Sequence, residues 1–165
     1  MRVISDSTPL IHLAKIGRIN LLKKLFSEII IENEISKEII ERGIEHSEIP
    51  IIKNLIEEKF IIVREAFKKI DALNLDEGEK RSISLCKELN IGNILIDDEE
   101  GFSIATMLNL IPIRTTSLLI IFLDKKIINF REYKESLKGL SESGYFLDAS
   151  TYQKLLNIGE NIAKE

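Results

Sequence analysis

Asn93–Leu110 reads NILIDDEEGFSIATMLNL. A short apolar run ends in two carboxylates, Asp97 and Asp98, and a stretch with helical spacing follows at once. That is the signature of a strand that feeds a helix, and it is the clearest strand in the chain. The same grammar occurs at the start. Arg2–Ser5 is a short apolar strand, Asp6 follows it, and STPLIHLAKIG then reads as a helix, with Ser7 or Thr8 as N-cap, Pro9 at the first helical position and Gly17 as the stop.

Working outward from these two, RINLLKKLF continues with helical spacing of Ile19, Leu22, Leu25 and Phe26, and SEIIIEN is a second strand. NEISKEIIERG is a helix with Asn33 as its cap and Gly43 as its end. IPIIKNLIEEK is a short amphipathic helix, and Phe60–Val63 (FIIV) is an edge strand. Arg64–Leu75 is a mixed connection. LDEGEKRSISLCKELN is a helix that buries Ile83, Leu85, Cys86 and Leu89. Ile111–Ile113 is a further strand, TTSLLIIFLDKK an apolar helix, and two closing helices fill about 130–165, the second capped by Asp148 or Ser150. Strands that alternate with helices predict βαβ units and a parallel sheet in an α/β fold. No repeat or linker divides the chain, so residues 1–165 are expected to form one domain.

At 165 residues and 44% hydrophobic, the chain has enough material for one real core. A charged fraction of 30% argues against disorder of the apolar-poor kind. The net charge of −4 excludes a basic footprint, so a nucleic-acid partner must be held by a local patch or by metal. Cys86 is the only cysteine, which rules out an intrachain disulfide and predicts a small packed hydrophobe in a reducing compartment. The start of the chain lacks the pattern of a signal peptide, and no uninterrupted apolar run reaches the length of a membrane span. A soluble, cytoplasmic protein is expected.

Five acids carry the chemistry: Asp6, Glu38, Glu79, Asp97 and Asp98. Ligands of open α/β sheets bind beyond the carboxyl ends of the strands. Carboxylates gathered there repel one another unless a cation neutralises them, and hard oxygen ligands suit Mg²⁺ or Mn²⁺. Each acid also has a plain reading. Asp6 is placed to cap a helix, Glu38 to sit on a solvated face, Glu79 to favour the positive end of its helix, and Asp97–Asp98 to form a simple turn. Neither His12 nor His46 pairs with Cys86 at zinc-ligand spacing. Lys23–Lys24, Lys68–Lys69 and Lys125–Lys126 are candidate phosphate contacts, although such pairs are more often solvated faces.

The order of the motifs is more specific than any one of them. An acid after the first strand precedes Thr8-x-Leu10-Ile11-x-Leu13. A helix bearing Glu38 follows, then Gly78-Glu79-x-x-x-Ile83-x-Leu85, Leu95-Ile96-Asp97-Asp98 and Thr115-x-x-Leu118-Leu119. Over Arg2–Leu155 this resembles the PIN-domain nucleases, most closely the branch related to VapC-type toxins in which a Gly-Glu pair stands in for the third acid. The resemblance implies an α/β/α sandwich with a central parallel sheet. It also implies one or two divalent ions and hydrolysis of RNA phosphodiester bonds. By that match Asp6 is the central ligand, with Glu38, Glu79 and Asp98 completing the set and Asp97 as neighbour or substitute for Asp98. Ser7 and Thr115 would orient water or phosphate behind them. Two ions about 4 Å apart can clamp attacking and leaving oxygens.

The same match implies a homodimer and a small antitoxin as partners. One stretch and two single positions depart from the family pattern. The stretch after the paired acids is Glu99, Glu100, Gly101 and Phe102 rather than basic, and Arg114 and Ser117 stand where glycines are usual. These departures sustain an alternative, a PIN-like module that binds RNA or protein without catalysis. A flavodoxin-like phosphoacceptor domain fits less well, because it requires a Lys after a late strand and none follows Ile111–Ile113.

Overall fold

The computed structural model describes residues 1–41, 46–68, 70 and 75–164. Among them the chain forms five strands and eight α-helices: β1 (Arg2–Ser5), α1 (Ser7–Lys15), a 3₁₀ turn (Ile19–Lys24), β2 (Glu28–Glu32), α2 (Asn33–Glu41), α3 (Glu48–Glu57), β3 (Ile61–Arg64), α4 (Glu77–Glu88), β4 (Asn93–Leu95), α5 (Glu99–Met107), β5 (Ile111–Ile113), α6 (Thr115–Asp124), α7 (Phe130–Glu142) and α8 (Ala149–Lys164). The sheet is parallel throughout, with strand order β3-β2-β1-β4-β5.

Side chains of a strand alternate between faces, and here the alternation sorts the core into two layers. Val3, Ile29, Ile31 and Leu95 join one apolar cluster with α1, α2, α3, α6 and α7. Ile4, Ile30, Ile94 and Ile96 join a second one with α4 and α5. An α/β/α sandwich results, as the sequence predicts. Both faces of β1, β2 and β4 are therefore covered, which is why these strands read as near-continuous Ile/Leu runs.

Helix ends follow local chemistry. Gly17 ends α1 in the left-handed region at φ 68°, where a side chain would be strained. The helix begins earlier than the sequence suggests. Asp6 holds the N-cap position, and Pro9 falls third in the helix rather than first. Proline is tolerated there because the first-turn N–H groups have no helical partner. Ile19–Lys24 tightens into a 3₁₀ turn instead of continuing as a regular helix. Capping boxes start α4 (Asp76 with Glu79) and α7 (Asn129 with Glu132). Asp148, rather than Ser150, caps α8, accepting from the Thr151 backbone and hydroxyl. The edge strand lies at Ile61–Arg64, one residue later than expected. The expected stop at Gly43 and part of the Arg64–Leu75 connection lie outside the described residues.

Helices α7 and α8 close the layer over α6. Tyr133 is wholly buried, and its hydroxyl donates to the Leu155 carbonyl at 2.8 Å. Gly159 makes this possible, since a Cβ there would sit 2.3 Å from the Tyr133 ring. Cys86 packs in the second layer, where burial pushes its thiol up to about 12, so it stays a neutral hydrophobe. Among the described residues no helix is long and apolar enough to cross a membrane.

Candidate active site

The chain runs outward from β1 to β2 and β3, then crosses to lay β4 on the other side of β1. Neighbouring connections leave the sheet in opposite directions at that point and open a crevice beyond the carboxyl ends of β1 and β4. Asp6 leaves β1 there, and Asp97–Asp98 leave β4. The Asp6 amide donates to the Leu95 carbonyl at 2.9 Å, so the two exits are tied together.

Asp6 sits at the N-cap position of α1 in an extended conformation, yet its carboxylate makes no capping hydrogen bond. The plain reading of this residue as a helix cap therefore does not account for it. It is 7% exposed. Burial is the main force raising its carboxyl to about 7, and the neighbouring Glu79 charge is next. The Ser7 backbone amide opposes the shift, while Glu38 and Asp76 add to it. Ser7 also donates from Oγ to Glu38 Oε1 at 3.0 Å, which links the end of β1 to an exposed acid on α2.

Glu79 is buried at the third position of α4. Its backbone N–H donates to Asp76 Oδ1 at 2.8 Å, and its Oε2 accepts from the Asp76 N–H at 3.1 Å. Burial again leads in raising its carboxyl to about 7. The Asp76 backbone opposes, and the Asp76, Asp98 and Glu100 charges add to the rise. Two glycines give this carboxylate room. A Cβ on Gly78 would lie 2.6 Å from Ile35 Cδ1, so Gly78 lets α4 close on α2. A Cβ on Gly101 would lie 2.4 Å from Ile96 Cδ1 and 3.5 Å from Glu79 Oε1, so the Glu79 side chain reaches the first turn of α5.

The adjacent acids Asp97 and Asp98 are used differently. Asp97 accepts from the Thr115 backbone N–H (2.8 Å), the Thr115 hydroxyl (2.6 Å) and the Tyr145 hydroxyl (2.7 Å). That carboxylate is committed to joining β4, α6 and the α7–α8 loop. Burial and the Asp97 charge together push the Tyr145 hydroxyl well up, so it stays a donor. Asp98 is exposed and caps α5 through a single bond, Oδ2 accepting from the Gly101 N–H at 2.9 Å.

The structure thus brings Asp6, Glu38, Glu79 and Asp98 into one electrostatic neighbourhood, with Ser7 on Glu38 and Thr115 on Asp97. Sequence reasoning missed Asp76, although the Asp-x-x-Glu spacing of a capping box was there to find it. It missed Tyr145, whose contact lies 48 residues from Asp97 with no local signal. The donor set is all carboxylate oxygen, which suits a hard divalent cation, and burial, with repulsion from neighbouring acids, raises two of its members, Asp6 and Glu79, to about 7. Among the described residues no three His, Cys, Asp or Glu side chains stand close enough together to form a ready-made metal cage.

The departures from the family pattern turn out to be neighbours. The Arg114 guanidinium lies 4.5 Å from the centre of the Phe102 ring, donates to the Asp97 carbonyl at 3.1 Å and pairs with Glu99 at 2.6 Å. A cation thus stands beside the acids, delivered from the β5–α6 junction instead of the stretch after the aspartates. Lys23, by contrast, pairs with Glu58 at 2.7 Å on the α3 side. The larger clefts of about 700 and 570 Å³ are lined by none of the five acids.

A family model described as a PIN domain matches residues 2–160. No curated protein and no solved structure matches the chain.

Proposed function

The chain belongs to the PIN-domain family, whose members are generally nucleases, and from that premise we propose that it is a divalent-metal-dependent endoribonuclease. The observation that carries this reading is the convergence of charge on Asp6. Among the described residues it is a buried carboxylate whose side chain makes no cap bond and whose charged neighbours are acids, raised to about 7 by burial and by Glu79, Glu38 and Asp76. A fold tolerates such a group where its cost is recovered in function.

Asp6, Glu38, Glu79 and Asp98 would hold Mg²⁺ or Mn²⁺, with Asp76 at the margin. Bound there, the cation supplies water activation and neutralises charge developing on the phosphate. The remaining work falls to the chain. Asp6 and Glu79, raised to about 7, would hold the cation as carboxylates, so its binding is expected to tighten as pH rises through about 7. The Ser7 hydroxyl orients Glu38, and the Gly101 amide orients Asp98 through one oxygen only. Thr115 and Tyr145 hold Asp97, and with it the turn on which Asp98 stands.

The Gly78–Glu79 pair supports the further proposal that the protein is the toxin of a toxin–antitoxin pair, with a small antitoxin and a second copy of the chain as partners. Co-purification with the product of a small adjoining reading frame tests it. The non-catalytic alternative draws on the absence of a ready-made cage among the described residues.

Cleavage of a mixed single-stranded RNA pool with Mg²⁺, Mn²⁺ or EDTA, beside Asp6→Asn, decides between them. Metal-dependent cleavage by the wild type alone supports the nuclease. Failure of a folded protein to cleave with either metal overturns it, and calorimetry then shows whether the acids bind a cation at all.

A further inference from the structure

Phe146 is 90% exposed, and it lies on the rim of a cleft of about 550 Å³ that also takes in Asp97, Asp98 and Arg114. A large aromatic ring left in water beside a charged site calls for an occupant. Its position is not that of a loose loop tip. The preceding residue, Tyr145, turns inward, bonds to Asp97 through its hydroxyl and meets the His12 ring edge-on at 5.2 Å. Gly144, at φ 86°, makes the turn that lets the chain do so. The anchoring of Tyr145 fixes Phe146 on the cleft. Arg114 is fixed as well, by Glu99, the Asp97 carbonyl and the Phe102 ring, and a guanidinium retains further N–H donors for a ligand.

We propose that Phe146 and Arg114 form a nucleotide subsite of the RNA-binding cleft, with the Phe146 ring stacking on an unpaired base and Arg114 facing a phosphate of the same strand. This inference rests on the nuclease reading above for the identity of the polymer. Three features select the occupant. The overall charge of −4 repels a polyanion, so the strand must be gripped locally, and Arg114 is a local grip next to Asp98. An aromatic face accepts any base but only an unstacked one, so the subsite admits single strands, loops and bulges rather than duplex. The cleft is continuous with the carboxyl end of β4, so a strand lying in it is led toward the acids. The two aromatics of the loop thereby divide the work, with Tyr145 building the site and Phe146 meeting the substrate.

The chain contains no tryptophan, so Phe146→Trp introduces a lone indole at the proposed contact, whose emission is excited selectively over that of the three tyrosines. In EDTA, which blocks metal-dependent turnover, an oligo(A) RNA of about ten nucleotides is expected to quench this Trp saturably, and a phosphate–ribose oligomer of equal length lacking bases is not. Quenching by both, or by neither, overturns the subsite. So does a blue shift of the emission with protein concentration before RNA is added, which marks the patch as a contact between copies.

In parallel, Phe146→Ala is expected to raise KM for single-stranded RNA by about 5- to 100-fold, with kcat and Tm unchanged. Arg114→Gln is expected to weaken binding and to lower its salt slope by about one. Unchanged KM in Phe146→Ala, with normal wild-type cleavage, removes the subsite and leaves the nuclease. Base-dependent quenching of a protein that never cleaves keeps the subsite and removes the nuclease.

Discussion

Strands β1 and β2 lie side by side, and each leads to a buried acid. Glu32, at the end of β2, is fully buried. It accepts from the Glu34 N–H at 2.6 Å and the Ala66 N–H at 3.1 Å, with Arg81 Nη1 3.6 Å away. Asp6, just beyond β1, is almost as buried, but its surroundings are other carboxylates. Burial is therefore common to a structural and a candidate functional acid. What separates them is whether the fold itself supplies the compensating donors. Glu32 ties α4 and the exit of β3 to β2. Among the described residues Asp6 has the Ser7 backbone amide in its favour, against the Glu79, Glu38 and Asp76 charges.

The comparison is broken most directly by neutralising each acid. Asp6→Asn is expected to cut RNA cleavage by at least about 100-fold, since the loss of a central ligand costs several kcal/mol of transition-state stabilisation. The same variant is expected to melt higher than wild type in EDTA, because it removes a buried, repelled charge. A lower Tm would show that Asp6 is structural after all. Glu32→Ala should do the reverse, losing about 3–5 kcal/mol of stability by stranding Arg81 and two amides, as read by denaturant unfolding. Cleavage at a temperature where the variant is folded should fall far less.

Titration sharpens the same contrast. Asp6 and Glu79 have carboxyls raised to about 7 from ordinary values of 3.8 and 4.5. The native state then binds more protons than the unfolded chain between those limits. Stability without metal is full near pH 4 and is lost as pH rises through about 7, by on the order of a few kcal/mol for the pair. Unfolding curves in EDTA across this window should show the loss, and Mg²⁺ should restore stability at the upper end. A flat profile would mean that neither carboxyl is raised by its burial or by its acidic neighbours.

The smallest effects separate Asp97 from Asp98. Asn caps a helix as well as Asp, so Asp98→Asn should leave Tm unchanged while reducing cleavage. Asp97→Asn turns an amide N–H₂ toward donors and should cost about 1–3 kcal/mol of stability, with cleavage falling only as the site loosens. Equal melting temperatures for the two variants would contradict the division of labour drawn from their hydrogen bonds.

These acids differ in how visible they were in the chain itself. Asp6 and Asp97–Asp98 were legible because each follows an apolar run and precedes a helix, so a local pattern placed them at strand ends. Glu79 was legible from the Gly78–Glu79 pair, and Gly78 and Gly101 now have a steric reason in the Ile35 and Ile96 side chains they accommodate. Glu32 was passed over because EIIIE reads as the plain end of a strand. Its partners at Ala66 and Arg81 lie 34 and 49 positions away, and no local pattern announces them. The pairing of Arg114 with Phe102 was hidden for the same reason. Two departures from the expected motif, read separately, looked like losses, whereas in space one guanidinium lies over one ring. Pro9 misled on the start of α1 because proline suits any position in a first turn.

The strand order has a consequence for how the protein comes into being. Synthesis proceeds from the amino end, and β1, β2 and β3 with their helices can assemble as soon as they emerge. That half carries Asp6 and Glu38 but lacks Asp98, which arrives with β4 on the opposite side of β1. Tyr145, which steadies the β4 exit, arrives later still. A nascent chain still on the ribosome therefore holds only two of the four proposed ligands, Asp6 and Glu38. The full set comes together only when nearly the whole chain has been made.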